Sequence, residues 1–319
     1  MKKQLFTVII SGLLLLTACG SNVQNNNNGN SNDDFVALAP FKKEATIEET
    51  ILYNENNLKI TATSLTYGNY SADLALKFEN NSDKNLTFIA QSIGYSRNAI
   101  NDTMLKDGYV SVDVVAGGTE TDTMSFNYDD MLLYGITEIG TIQTGFWIND
   151  DDYNDIYTGA VDIKTTAANT AESGTTSFRK TMKNKALQYN YEFTLDYFSD
   201  KEIYSSAGIS VNTEILITNK NGKQTLMLEE INNSDIDAEV YIKDIKVNDK
   251  MVYEGARSSE IITPGKRAIG SFTIDNILDE DKKKELGITD IESIGFTVLA
   301  RNTDFMIISE PEEVTISLK

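Results

Sequence analysis

The side chains best placed to do chemistry in this sequence are carboxylates. Asn149-Asp150-Asp151-Asp152-Tyr153-Asn154-Asp155 puts four carboxylates and two amides into seven positions. Such an oxygen-rich set suits calcium. Asp150, Asp152 and Asn154 have EF-hand-like spacing, with Asp155 beside them. The sixth position is Asp155 where that loop needs glycine, and the twelfth is Val161 where it needs glutamate. The segment therefore reads as a solvated hairpin loop. Asp150, Asp152, Asn154 and Asp155 are its candidate metal ligands, and no metal or other cofactor is expected to be required. Adjacent carboxylates recur at Asp129-Asp130, Glu229-Glu230 and Glu312-Glu313. A glycosidase needs two carboxyls converging on one bond. Neighbours on a strand point to opposite faces, and 48 acidic residues produce adjacent pairs by chance. Asp129 and Asp130 fit a helix N-terminus without any chemistry. No Gly-rich phosphate loop is present.

Composition removes other classes. There is no histidine, so every Ser-His-Asp or Cys-His mechanism, every His-ligated zinc site and every His-based pH switch is excluded. One cysteine leaves no intramolecular disulfide and no cysteine metal cluster. Against 28 basic residues the 48 acidic ones give a net charge of -20. That argues against nucleic acid as a partner, because phosphates need clustered Lys and Arg. Arg179, Lys180, Lys183 and Lys185 make a local basic reversal between residues 173 and 191. It is read as a linker that can form a short helix capped by Ser177, balanced by its acidic surroundings. Trp147, beside Phe146, is read as core or rim rather than a sugar platform.

The lone cysteine has a place of its own. Lys2 and Lys3 precede an apolar run from Leu5 to Leu16, which is too short to span a bilayer comfortably. The run ends in Leu16-Thr17-Ala18-Cys19. This looks like a bacterial lipobox, whose cysteine receives a diacylglyceryl group built from palmitate-type chains. The resemblance implies a signal peptide over 1–18 and lipidation at Cys19. Cleavage removes Lys2 and Lys3 and takes the net charge from -20 to -22. Two or more acyl chains hold a protein stably at a membrane. The expected location is the outer face of a bacterial cell membrane, held by lipid through Cys19. Residues 19–44, Asn-rich and nearly free of apolar side chains at their start, read as a disordered tether. The Asn-, Lys- and Ile-rich usage, with the lipobox, suggests a Gram-positive Firmicute.

The elements that position these residues come as a repeat. Asn80-Asn81-Ser82-Asp83 recurs as Asn232-Asn233-Ser234-Asp235, and Gly135-Ile136-Thr137-Glu138-Ile139 as Gly287-Ile288-Thr289-Asp290-Ile291, both 152 residues apart. Ser125-Phe126 matches Ser271-Phe272 at a slightly shorter offset. The repeats are placed at 45–165 and 188–319, with a linker at 166–187. Period-two alternation marks half-buried strands: Leu74, Leu76 and Phe78; Val110, Val112 and Val114; Val240 and Ile242, then Ile245 and Val247 after a bulge near Asp244. Tyr189, Tyr191, Phe193, Leu195 and Tyr197 read as the opening strand of the second repeat. One helix interrupts each repeat. Asn127 can cap the first, which Gly135 ends; Asp275 or Asn276 can cap the second, which Gly287 ends. The triplets at Asn80, Asn85 and Asn232 read as turns.

The pattern from Tyr53 through Leu58, Ile60, Leu74, Leu76, Phe78 and Asn80-Asn81-Ser82-Asp83 to Phe126 and Gly135 resembles tandem immunoglobulin-like domains of Gram-positive lipoproteins of unknown function. It is similar, more distantly, to a secreted antigen-type sandwich family. The resemblance implies a mainly β fold of two immunoglobulin-like β-sandwiches, each with a short crossover helix, and implies no site residues. The expected function is a non-catalytic binding, adaptor or spacer module at the cell surface. Its partners would be membrane lipid and an envelope protein or wall polymer. The alternatives are a carboxylate-dependent surface hydrolase and a calcium- or solute-capturing receptor.

Overall fold

The computed structural model describes residues 39–90, 97–150, 154–172, 174–259 and 261–318. The leader, Cys19 and the greater part of the tether lie outside them, as do Asp151 and Asp152. The chain begins with β1 (Thr50–Glu55), β2 (Leu58–Tyr67), β3 (Ser71–Asn80), β4 (Leu86–Ala90), the two-residue β5 (Ala99–Ile100) and β6 (Thr103–Met104), β7 (Val110–Val114) and β8 (Thr119–Asn127). Helix α1 (Tyr128–Leu133) follows, then β9 (Thr141–Thr144), β10 (Trp147–Asp150), β11 (Asp155–Tyr157) and β12 (Val161–Lys164). Helices α2 (Thr175–Met182) and α3 (Lys185–Asn190) lead to β13 (Phe193–Ser199), β14 (Tyr204–Ser206), β15 (Ile209–Asn219), β16 (Gln224–Asn232), β17 (Ala238–Val247), β18 (Lys250–Ser258) and β19 (Arg267–Thr273). A short 3-10 turn (Ile274–Asn276), α4 (Glu280–Leu286), β20 (Ser293–Asn302) and β21 (Glu312–Ser317) complete a mainly β molecule with several antiparallel sheets.

Both halves use one strand order. The first has sheets β1-β2-β3-β8 and β11-β10-β4-β7; the second repeats them as β14-β15-β16-β19 and β21-β20-β17-β18. In the first half the two sheets share a core. Leu74, Leu76 and Phe78 alternate inward along β3 as their spacing predicts, and the Phe78 ring meets Phe88 at 5.4 Å and Phe146 at 5.8 Å. Burial of such side chains is each worth about 1.5–3 kcal/mol. The Ser-Phe match is displaced by one pleat. Phe272 pairs with Leu226, and it is Met124, not Phe126, that pairs with Leu74. The two-residue slip keeps both aromatics on the inward face.

Asn127 caps α1 by accepting from the Asp129 amide, and Gly135 follows with φ 78°. The second helix starts later than its sequence suggests. Asp275 and Asn276 lie in the 3-10 turn, and Asp279 is the cap, accepting from the Lys282 amide; Gly287 ends the helix in the left-handed region. The bulge near Asp244 is present, with φ 56° and a shifted register.

Two expectations change. The alternation at Tyr189 and Tyr191 is not a strand: Asn184 caps α3, Tyr189 lies on it 69% exposed, and β13 starts only at Phe193. The stretch read as a linker is built into the molecule. Phe178, Met182 and Leu187 are fully buried in the core they share with the first half. Ser177 does not cap α2; Gly174 holds that place, and the Ser177 hydroxyl donates to the Gly135 carbonyl at 2.6 Å. A parallel contact between β6 and β19, Thr103 opposite Arg267, carries one sheet from the first half into the second.

Candidate functional site

The acidic loop closes on itself. The Asp150 carboxylate accepts from the Asn154 amide at 2.9 Å and from its side-chain nitrogen at 2.8 and 3.0 Å, and pairs with Lys84. Asp155 is exposed on β11, opposite Asn149. Among the described residues no three carboxylates gather in a metal-holding group. Asp150 and Asn154 are brought together, but as turn partners, and Asp155 points its backbone into a ladder.

The carboxylate pairs have three different fates. Glu312 and Glu313 are exposed at the start of β21. Asp129 and Asp130 occupy the first turn of α1. Burial pushes the Asp130 carboxyl up to about 7, and the charge of Asp107 and a hydrogen bond to it add to the effect. The Tyr191 hydroxyl donates to the Asp129 carbonyl at 2.9 Å, and burial raises Tyr191 well above the usual phenol range.

Glu229 and Glu230 point to opposite faces of β16, and both are buried. A one-sided sheet would leave one of them in water. Here α2 and the first half cover the outer face. Glu230 stands two residues before Asn232, where the first half has the core aromatic Phe78 before Asn80. Its carboxylate lies across Gly270, where a Cβ would come 2.2 Å from Oε1. On the same sheet burial also raises the Glu214 carboxyl, against the opposing pull of Ser199 and Lys201.

Glu229 anchors an ionic network between the halves. Arg267 Nη1 donates to its Oε1 at 3.0 Å, and the Thr213 hydroxyl to its Oε2 at 2.7 Å. Arg179 on α2 donates to Thr213 at 2.8 Å and reaches Glu229 at 3.4 Å. Arg267 crosses into the first half, where its Nη2 meets the Tyr134 carbonyl at 3.4 Å and its Nε lies 3.6 Å from Asp102. Of the basic stretch, Arg179 is thus spent internally, Lys183 sits over the Phe198 ring and Lys185 holds Gln188. Lys180 is exposed.

An open cleft of about 390 Å³ lies between the halves, lined by Arg97, Gln143, Tyr157, Asp237, Thr263 and Pro264. Arg97 pairs with Asp237 across the seam, and Gln143 Nε2 donates to the Thr263 hydroxyl at 2.8 Å. The half-exposed Tyr157 ring stacks on Trp147 at 6.4 Å with 7° between planes, so Trp147 is a rim residue. Sequence reasoning names Glu229 and Arg179 without their partners, and none of Arg97, Gln143, Asp237, Thr263 and Arg267. Their signal is tertiary, since each partner comes from the other half. Glu230 was detectable, as a carboxylate standing at an aromatic position of the other repeat.

No protein-family model matches the sequence, and no curated protein matches it. Among solved structures, a protein from Archaeoglobus fulgidus is 14% identical over 40% of this chain and 98% of its own, with a TM-score of 0.19. An exo-chitosanase of Amycolatopsis orientalis, in complex with a β-D-glucosamine derivative, is 10% identical over 83% of this chain, with a TM-score of 0.21. The chain spans 26% of that enzyme's length. Likenesses this distant establish neither a shared fold nor a shared activity.

Proposed function

We propose that this chain is a lipid-anchored protein of the outer membrane face of a Gram-positive bacterium, with two tandem immunoglobulin-like β-sandwiches acting as a non-catalytic binding, adaptor or spacer module. The observation that carries the reading is the use to which the acidic side chains are put. Glu229 is sealed in a partnered ionic network, Glu230 is buried within the second half, and Asp150 closes a hairpin. Groups suited to acid–base chemistry hold the frame instead. The seam then makes the halves one rigid display surface on a tether. Cys19→Ala in the producing cell tests the anchor: the protein is expected to leave the membrane fraction or keep its leader. Unchanged membrane retention and mature mass refute it. The envelope protein or wall polymer that co-purifies with the lipidated form identifies the partner.

The seam cleft favours a second reading, capture of a small polar solute between Arg97, Asp237 and Tyr157. Clefts between domains are preferred ligand sites. Trp147 is the chain's one tryptophan, so its fluorescence reports ligand stacking on Tyr157, and Tyr157→Ala should abolish any response.

A further inference from the structure

The two repeats part ways on the outer face of one sheet. In the first half the pairing of β11, β10 and β4 sets Tyr157, Trp147 and Ile89 side by side. Asp155, Asn149 and Thr87 form a second row two residues along the same strands, about 7 Å away. All six are at least partly exposed, on the side away from the core that Phe88 and Ile148 fill. Tyr157 is 51% exposed, and the parallel ring of Trp147, less exposed, stands behind it.

The matching face of the second half is closed. Ser309 stands at the Tyr157 place, buried, and accepts from the Tyr204 hydroxyl at 2.6 Å. Leu299 stands at the Trp147 place and is 2% exposed. Tyr241, at the Ile89 place, lies under the Arg301 guanidinium at 4.4 Å. Arg301 occupies the Asn149 place, and Asn149 has neither the length nor the charge to cap a ring. The same fold therefore covers this face in one repeat and leaves it open in the other. An open apolar row beside an open polar row is a contact surface with its own chemistry.

We propose that this face of the first repeat binds an uncharged glycan chain. A sugar ring turns flat C–H faces to its sides and hydroxyls to its rim. Tyr157 and Ile89 offer apolar contact to the faces, the aromatic ring supplying most of the area. Asp155, Asn149 and Thr87 take the hydroxyls, which donate to the carboxylate and both donate to and accept from the amide and the threonine hydroxyl. Each row continues from strand to strand about every 4.8 Å, so successive sugar units meet the same two surfaces. The net charge of -20 disfavours an anionic chain. The proposal rests on the binding-module reading, and neither on the anchor nor on solute capture in the cleft.

The test is titration of the chain from residue 19, carrying Cys19→Ser, with glucose and N-acetylglucosamine oligomers of increasing length. Trp147 fluorescence and calorimetry read the binding. Saturable binding that tightens with chain length is expected, because the rows cross several strands. Tyr157→Ala and Asn149→Arg, which places a guanidinium beside the rings, should each weaken it about tenfold. Tyr241→Ala on the closed face should leave it unchanged, and unaltered thermal unfolding shows that the variants are folded. Binding untouched by both Tyr157→Ala and Asn149→Arg overturns the proposal. Equal affinity for one sugar and for its oligomers also overturns it, and leaves solute capture in the cleft standing. Binding of oligogalacturonate alone overturns the uncharged class while the binding module stands. No saturable binding by any of these glycans overturns the proposal, and the module reading then rests on an envelope protein.

Discussion

Asn80 and Asn232, 152 residues apart, make the same hydrogen bonds. Each is fully buried. Asn80 Nδ2 donates to the carbonyls of Lys84 and Val114, and Asn232 Nδ2 to those of Ile236 and Ile262. Each Oδ1 accepts from the amide and hydroxyl of the serine two residues on. The Asn-Asn-Ser-Asp motif is thus a buried clasp that ties the end of one strand to the opposite sheet, and its amide is unavailable as a glycosylation acceptor. Asn80→Ala and Asn232→Ala should each lower stability by about 1–3 kcal/mol, since carbonyls are left buried without their donor. Urea unfolding measures this, and losses below about 0.5 kcal/mol would show that the clasp is dispensable.

That clasp shows what was legible in the sequence. A polar motif repeated exactly, set among alternating apolar residues, reveals strand order and period because both are local. The bulge at Asp244 and the Asn127 cap are legible for the same reason. The seam is not. Arg267, Glu229, Arg179 and Asp102 are widely separated in the chain, and nothing near each one announces its partner. Tyr189 and Tyr191 misled because a period of two over few residues also fits a short capped helix. The acidic stretch is read from its missing glycine and glutamate as a hairpin loop with Asp150 as a candidate ligand; what the sequence does not spell out is that Asn154 and Lys84 take up the Asp150 oxygens.

The Arg267–Glu229 pair should behave as a buried ion pair. Arg267→Met leaves the Glu229 charge facing Thr213 and Arg179 alone, and should cost about 3–5 kcal/mol. Arg267→Met together with Glu229→Leu should recover most of that loss, because the stranded charge is gone. A double variant as unstable as the single one in urea unfolding would show that packing across the seam, not charge, is what Arg267 provides.

Asp130 should make stability depend on pH near neutrality. Its carboxyl is raised to about 7 in the folded chain by burial and by Asp107. Between about pH 4 and 7 the folded state therefore keeps a proton that the unfolded state has released. Stability from this group falls as pH rises through that window and is flat above it. Asp130→Asn should be close to neutral at pH 5 and stabilising by about 1–2 kcal/mol at pH 8, allowing for partial exposure to water. Equal stability differences at both pH values in urea titrations would refute the assignment.

The acidic hairpin should not need calcium. Asp150 already holds the Asn154 amide and side chain and the Lys84 ammonium. Releasing that carboxylate to a cation would cost the turn its closure. Calcium titration calorimetry should show no one-to-one isotherm, and sodium at higher strength should reproduce whatever modest stabilisation calcium gives by screening. A true site would instead stabilise by about 2.7 kcal/mol at a hundredfold excess over its Kd. Asp150→Ala should lower stability by about 1–3 kcal/mol, the cost of losing a charged buried partner, and by the same amount with and without calcium. A loss that appears only when calcium is present, with a stoichiometric isotherm in the parent, would make Asp150 a ligand and the hairpin a binding loop.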